Sequence, residues 1–324
     1  MRAAWYERQG PARDVLEVGE LPTPAPGARE VRLKVAASGI NPGDLKKRED
    51  YFGYGMAYPL VIPHSDGAGV IDQLGEGVAE GWLGRRVWCY GAQSYRPFGT
   101  AAEYTVLPLE QVAPLPEGVS FQQGACLGIP AITAHRAVHV AGPVAGRTVL
   151  VQGGAGAVGL SAVALAHYAG ARVVATVRRA ADEPLVRASG GDEVVVTTGG
   201  NVAEAVRVLA PGGVDHIVEV AFAANSALDT EVLALGGSIA AYATDDPAPA
   251  LPFWELLFKN ARIFLVGSDD FPLEAKRAAV RDVNAALKAG WTGYEITTLP
   301  LDEIARAHEL VDRPTKRGRV VLTL

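Results

Sequence analysis

The pattern of apolar and polar positions changes character near residue 120 of the 324-residue chain. Before that point, short β-rich runs are separated by Gly and Pro. EVRLKVAAS (30–38) alternates like a half-buried strand, and PLVIP, GAGVID, RRVWCY and AAEYTVLP follow, with PTPAPG (22–27) as a stiff connector. After it, helices and strands alternate. SFQQGACLGIPAITAHRAV (120–138) opens with a serine cap, and Pro130 predicts a break between two helical pieces. Strands are then expected at TVLVQG, RVVATV, EVVVT, VDHIVEV, GSIAAYA and RIFLVG, with helices at LSAVALAHYAG, EPLVRASG, VAEAVRVLA and NSALDTEVLAL between them. Strands joined by helices of this length require a parallel sheet with crossovers. The remainder predicts an amphipathic helix LEAKRAAVRDVNAALKAG, a shorter one at LDEIARAHELV and a last strand RVVLTL.

Length and composition fit this division. The chain exceeds the usual size of one core, and 49% apolar with 20% charged residues describes an ordinary globular protein. A net charge of −6 gives no general field for nucleic acid, so no nucleic-acid partner is expected. No signal peptide or membrane-spanning run stands out, and the expected location is the cytoplasm. The two cysteines, Cys89 and Cys126, rule out a four-thiolate zinc lobe, and a single disulfide between them stays open.

The stretch Gly154-Ala155-Gly156-Ala157-Val158-Gly159 fits G-x-G-x-x-G with a strand before it and a helix after it. That pattern supplies a tight turn at Gly154, close backbone approach to a pyrophosphate at Gly156 and close helix–strand packing at Gly159, with the helix N-terminus facing the phosphates. A site for an unphosphorylated dinucleotide places a carboxylate about 20 residues further on, at the end of the second strand. Here the strand ends at Val177 and Arg178-Arg179 follow, with no carboxylate between Gly170 and Arg179. Two guanidinium groups suit a 2′-phosphate, so NADPH is expected over NADH, with Thr176 as a hydroxyl partner.

These motifs together resemble the medium-chain dehydrogenase/reductase superfamily, in its zinc-free quinone oxidoreductase (zeta-crystallin-like) branch. The resemblance is carried by ELPTPAPGAREVRLKVAASGINPGD, HSDGAGVIDQLGEGV, GTAAEY, LPEGVSFQQGACLGIPAITAHRAV, VLVQGGAGAVG and the terminal GRVVLTL. It implies an α/β fold: a GroES-like β-barrel catalytic domain over 1–123, a Rossmann doubly wound parallel sheet over 124–266, and a return to the catalytic domain over 267–324. The positions that carry catalytic zinc in metal-using members correspond to Asn41, Ser65 and Ile129, so no metal is expected; His64, Asp66 and the remaining histidines are read as structural.

The resemblance further implies hydride transfer from NADPH to a quinone or an α,β-unsaturated carbonyl. Asn41 and Thr133 would lie beside the nicotinamide, and Ala157, Val158, Val266 and Arg319 would complete the cofactor contacts. Lys46 stands where many relatives have a tyrosine near the cofactor, and Thr197 stands where some have a tyrosine supporting the 2′-phosphate. In EDYFGYGMAYP (49–59), Tyr51 and Tyr54 are candidate proton donors above the substrate, with packing the competing role. Phe253, Trp254 and Phe258 sit at helical spacing, as an apolar face, a cavity wall or a subunit contact. RIFLVG would be the sheet's edge, through which a homodimer is expected. Two alternatives stay open: a reductase of a specialised acrylate-like or enoyl substrate, which Arg48 or Arg96 would favour, and a low-turnover NADPH-binding protein of the crystallin kind.

Overall fold

The computed structural model describes residues 1–313 and 317–324. The chain forms two compact units, Met1–Pro130 with Tyr294–Leu324, and Ala131–Gly293.

The first unit is built on the strand Glu30–Gly39. Its first half pairs with Tyr104–Pro108 and its last residues with Arg319–Thr323, while Asp66–Leu74 runs along nearly its whole length. One sheet results, in the order Ile296–Pro300, Arg319–Thr323, Glu30–Gly39, Asp66–Leu74, Arg86–Cys89 and Val112–Pro114. All its pairs are antiparallel except the first. Val31, Leu33 and Val35 alternate into a core with Ile71, Val87 and Leu107, as period-two patterning requires. Cys89 and Cys126 are buried and are not joined by a disulfide.

Among the elements that escaped the hydrophobic pattern are the paired strands Arg2–Trp5 and Glu17–Glu20, the strands Val112–Pro114 and Ile296–Pro300, and the helix Pro42–Arg48. That helix carries its own start signal, an asparagine before a first-turn proline and an Asp44 carboxylate that accepts from Asn41 N at 2.7 Å.

The second unit is a six-stranded sheet in the order Glu193–Val196, Arg172–Val177, Thr148–Val151, Val214–Glu219, Leu233–Ala241 and Arg262–Leu265, parallel throughout. In chain order this is 3-2-1-4-5-6, the doubly wound arrangement whose order reverses between its first and fourth strands. Leu150, Val174, Ile217 and Ile239 supply the buried centre of the sheet. Each such side chain is worth roughly 1.5–3 kcal/mol on burial.

Two expectations are corrected. The second unit runs on to Gly293, so the helix Leu273–Lys288 belongs to it and not to the return. That helix buries the stripe Ala279, Val283, Ala286 and Leu287 and packs on the helix Ala157–Tyr168. The helical break falls between Phe121–Gly124 and Gly128–His139 rather than at Pro130. Pro130 lies in the first turn, where no N–H is needed for an intrahelical bond, so it ends nothing. Pro130→Ala should therefore leave the far-UV circular dichroism unchanged and cost no more than about 1 kcal/mol in urea denaturation, through added freedom of the unfolded chain.

Candidate active site

In the second unit the strand Thr148–Val151 delivers the glycine turn at the point where strand order reverses, beside the end of Val214–Glu219. The left-handed residue of the turn is Gly153, at φ +67°, and not Gly154 as the motif suggested. A Cβ on Gly154 would press Ala175 Cβ at 2.9 Å, and one on Gly159 would lie 2.2 Å from the Gly153 carbonyl oxygen. Gly159 is thus what lets the helix Ala157–Tyr168 come down onto the turn. Gly156 is that helix's N-cap, and a Cβ there would meet only the Gly153 oxygen, at 3.3 Å. The space over Gly156 and the N–H groups of Ala157 and Val158 forms a cradle of the kind a pyrophosphate occupies.

Thr176 is buried beneath this turn. Its hydroxyl accepts from Gly153 N at 3.0 Å and donates to Gln152 Oε1 at 2.7 Å, so it shapes the turn and is not turned toward a nucleotide's phosphate. Gln152 Nε2 donates in turn to Asp229 Oδ1 at 2.8 Å. Burial, and then the charge of Glu219, push the Asp229 carboxyl well above the usual carboxylate range. Glu219 ends the fourth strand of the sheet, fully buried, and accepts from Ala221 N and from Asn225 Nδ2 at 3.0 Å. None of this network was singled out from the sequence; two acids and a glutamine scattered over 77 residues carry no local pattern.

Arg178 and Arg179 follow the second strand and are exposed. Arg179 Nε donates to Asp182 Oδ2 at 2.9 Å. Val266 is half-buried just past the edge strand, its N–H bonded to Ala241 O at 2.9 Å, and Thr133 is buried in the helix Gly128–His139.

The first unit holds a second buried cluster. Asp66 Oδ2 accepts from Asn41 Nδ2 at 2.7 Å, and Oδ1 from Ile129 N at 2.8 Å. Arg319 donates to Asn41 Oδ1 at 2.9 Å and stands 3.7 Å from Asp66. Burial pushes the Asp66 carboxyl up to about 7, against the pull of Arg319, Asn41 and the Ile129 amide. Gly128 is required here, because a Cβ would lie 2.0 Å from Asp66 Oδ1. Arg319, expected among the cofactor contacts, is buried and instead orients the Asn41 amide.

A chain of hydrogen bonds runs behind this cluster. Arg48 Nε donates to His308 Nδ1 at 3.3 Å, and a guanidinium can only donate. The His308 proton is therefore on Nε2, which donates to His64 Nε2 at 2.9 Å. His64 then carries its proton on Nδ1 and donates to Ser38 Oγ at 2.8 Å, Ser38 donates to Thr100 Oγ1 at 2.7 Å, and Thr100 donates to Asp66 O at 2.6 Å. Burial first, then Arg319, pulls His64 down to about 3; burial, His64 and Arg48 lower His308 as well. Arg48 also donates to Gly10 O and Glu49, and Arg96 pairs with Glu30 at 3.1 Å. Arg48 is thus engaged on three sides, whereas Arg96 Nη1 has no hydrogen-bond partner among the described residues.

Lys46 Nζ lies 4.5 Å from the centre of the Tyr51 ring, and Tyr51 and Tyr54 are exposed. Two cavities, about 650 Å³ beside His167 and Trp291 and about 400 Å³ beside Leu21 and Phe98, take in none of these residues.

Residues 27–117 match the family described as alcohol dehydrogenase GroES-like domain, and residues 157–279 the family described as zinc-binding dehydrogenase. The chain is 32% identical to quinone oxidoreductase of Rattus norvegicus, over 98% of this chain and 96% of that one. It is 34% identical to a trans-enoyl reductase of Aspergillus flavipes over 58% of this chain and 57% of that one. A mycobacterial protein solved in complex with NADPH superposes with a TM-score of 0.85 at 25% identity, covering 100% of both chains. Among the described residues no helix is long and apolar enough to cross a membrane.

The two neutral histidines give a pH prediction. Their folded pKa values lie below the ordinary 6.5, so the unfolded chain binds more protons as pH falls below it. Their contribution to stability is whole above 6.5 and is lost progressively as pH falls below it, for His64 down to about 3, at up to about 1.4 kcal/mol per pH unit for each. Asp66, with a raised pKa, opposes this between about 4 and 7. The urea midpoint should fall between pH 6.5 and 4, and His308→Gln should flatten that fall; an unchanged slope would show that His308 is charged in the folded state.

Proposed function

The chain belongs to the quinone oxidoreductase branch of the medium-chain dehydrogenase/reductase superfamily and is an oxidoreductase, and from that premise we propose that it is an NADPH-dependent reductase of quinones or conjugated enones and enals that works without catalytic zinc. The observation that carries the coenzyme assignment is the pair Arg178-Arg179 after the second strand, where a diol-binding carboxylate would otherwise stand. The nearby carboxylate, Asp182, is buried and already bonded to Arg179.

Bound NADPH supplies a hydride; the protein supplies placement. Gly154, Gly156 and Gly159 open the cradle for the pyrophosphate, with the amides of Ala157 and Val158 as donors, and Arg178 and Arg179 meet the 2′-phosphate. Asn41 and Thr133 are assigned to the nicotinamide end, with Val266 as an apolar neighbour. Asp66 and Arg319 fix the Asn41 amide by taking one donor and one acceptor. The exposed Tyr51 and Tyr54 are the candidates for delivering a proton to the reduced oxygen, and the half-buried Lys46, against the Tyr51 ring, is a candidate for reaching a phosphate or the substrate oxygen.

Support for a zinc-free mechanism comes from donor chemistry. Asn41, Ser65 and Ile129 offer neither thiolate nor imidazole, and both ring nitrogens of His64 are taken by Ser38 and His308. A conjugated acceptor already has an electrophilic carbon and needs alignment more than a Lewis acid. An uncharged acceptor is favoured over an acrylate-like one in so far as Arg48 is engaged by His308, Gly10 and Glu49.

NADPH and NADH oxidation against a panel of quinones and enones, with and without chelator, tests this. kcat/KM with NADPH should exceed that with NADH by tenfold or more. Arg178→Ala with Arg179→Ala should cost about 10–100-fold with NADPH and little with NADH, as expected for lost charge-assisted hydrogen bonds. Equal kcat/KM for the two coenzymes would sink the assignment, and tight NADPH binding without turnover would favour a non-enzymatic role.

We also assign a homodimer. In the second unit Phe253, Trp254, Phe258 and Leu265 are 61–78% exposed, and the edge strand Arg262–Leu265 has a free side. Such an apolar edge favours pairing with a second copy. Light scattering should show a dimer, and Trp254→Asp with Phe258→Glu should yield monomer.

A further inference from the structure

The helix Gly128–His139 ends with two histidines one turn apart, His135 and His139, and they do not stand alone. Residues four apart share a helix face, so both imidazoles point the same way. From a helix 147 residues further along the chain, Asp282 Oδ2 comes within 2.8 Å of His135 Nε2. The two histidine rings are 4.5 Å apart between centres. One ligand atom from each of His135, His139 and Asp282 lies within 4.8 Å of the others.

We propose that His135, His139 and Asp282 form a binding site for one divalent transition-metal ion of the zinc class, which clamps the helix Gly128–His139 to the helix Leu273–Lys288.

The donor set is the first support. Two imidazoles and one carboxylate are borderline ligands that favour Zn²⁺, Co²⁺, Ni²⁺ or Cu²⁺ over Mg²⁺ and Ca²⁺. Three protein ligands leave a fourth tetrahedral position for water. Ligand atoms on one tetrahedral zinc are about 3.4 Å apart, given zinc–ligand distances near 2.1 Å. Small side-chain rotations reach that geometry from the present spacing. His135 would exchange its bond to Asp282 for the metal, with its remaining proton on Nδ1.

His135 is buried and His139 half-buried, so the two ring nitrogens offered to an ion are held in a partly enclosed place. Nearby His216 cannot compete for the ion: its Nε2 donates to Ala137 O at 2.6 Å, and its Nδ1 is engaged by Ser238 Oγ at 2.8 Å. His139 is the last residue of its helix, at the negative end of the helix dipole, where a cation is stabilised. Arg136 and Arg281 act against a cation here, and they set the affinity lower than the ligands alone would give. The site is separate from the hydride chemistry proposed above, since none of its three ligands is assigned to coenzyme or acceptor.

The test uses the full chain, stripped with chelator and dialysed. Co²⁺ titration followed by the visible absorption of tetrahedral cobalt should saturate at one equivalent per chain. Zn²⁺, measured by competition with a chromogenic chelator, should bind at least tenfold more weakly to His139→Ala and to Asp282→Asn, while His167→Ala, a change at an exposed histidine, should bind like wild type. Zinc in excess should raise the Tm of wild type by about 3–5 °C and leave that of Asp282→Asn unmoved. Asp282 is half-exposed, so its amide variant keeps the fold even if His139→Ala does not. Absence of a saturating equivalent in wild type, or affinity unchanged in Asp282→Asn, overturns the site. Neither readout depends on turnover, so failure of the assigned activity and failure of this site are told apart.

Discussion

The dinucleotide half of the molecule depends on one contact that only a missing side chain allows. The Gly153 carbonyl oxygen occupies the place where Gly159 would carry a Cβ, 2.2 Å from that point. Because the helix Ala157–Tyr168 can descend that far, its first turn begins directly over the end of the strand Thr148–Val151. The turn is then held from below, by Thr176 Oγ1 on the Gly153 amide and by Gln152, which passes the hydrogen-bond chain to Asp229. Burial and the neighbouring Glu219 raise the Asp229 carboxyl well above the usual carboxylate range, so charge is disfavoured at Asp229 below the turn, while the upper face keeps its amides for an anion.

Two buried arginines organise the first unit by the same rule, that a guanidinium donates and never accepts. Arg48 fixes both histidine tautomers down to Thr100, and Arg319 fixes the Asn41 amide so that its N–H faces Asp66. This arrangement has a chemical consequence. The imidazoles of His64 and His308 and the carboxylate of Asp66 are already committed to protein partners. In the second unit His135, His139 and Asp282 share a single bond among three ligand groups, which is why that cluster and not this one can take an ion.

Much of this could be read from the sequence where the signal is local. The alternation of strand and helix after residue 120, the glycine turn and the two arginines each lie within a short window. The period-two pattern of Val31, Leu33 and Val35 found the central strand. What failed was either marginal or long-range. Pro130 was read as a break because its place within the helix was not known, and proline is harmless in a first turn. The residues 267–293 were assigned to the wrong unit because an amphipathic stripe says that a helix packs but not on what. Thr176 stands at a strand end and Arg319 is suggested only by the resemblance, and both are buried and serve neighbours far away in sequence. The i, i+4 spacing of His135 and His139 was in plain view, and only Asp282 gives it meaning.

Coenzyme choice comes down to a comparison of magnitudes at the end of the second strand. Arg179 already holds Asp182, through Nε at 2.9 Å and through a second nitrogen at 3.5 Å, the limit of a hydrogen bond. A partly exposed ion pair of this kind is worth about 0–1 kcal/mol. A guanidinium bonded to a dianionic phosphate gains about 1.5–3 kcal/mol per hydrogen bond, and Arg178 adds a second cation from the adjacent residue. On the proposed assignment, a 2′-phosphate would therefore outcompete Asp182 for the outer face of Arg179 even if the inner bond survives. A ribose diol has no such advantage: it needs an acceptor, and the carboxylate within reach is buried against the arginine that would have to release it. In the coenzyme assignment proposed above, selectivity would arise from a cation gained and an acceptor withdrawn by the same ion pair.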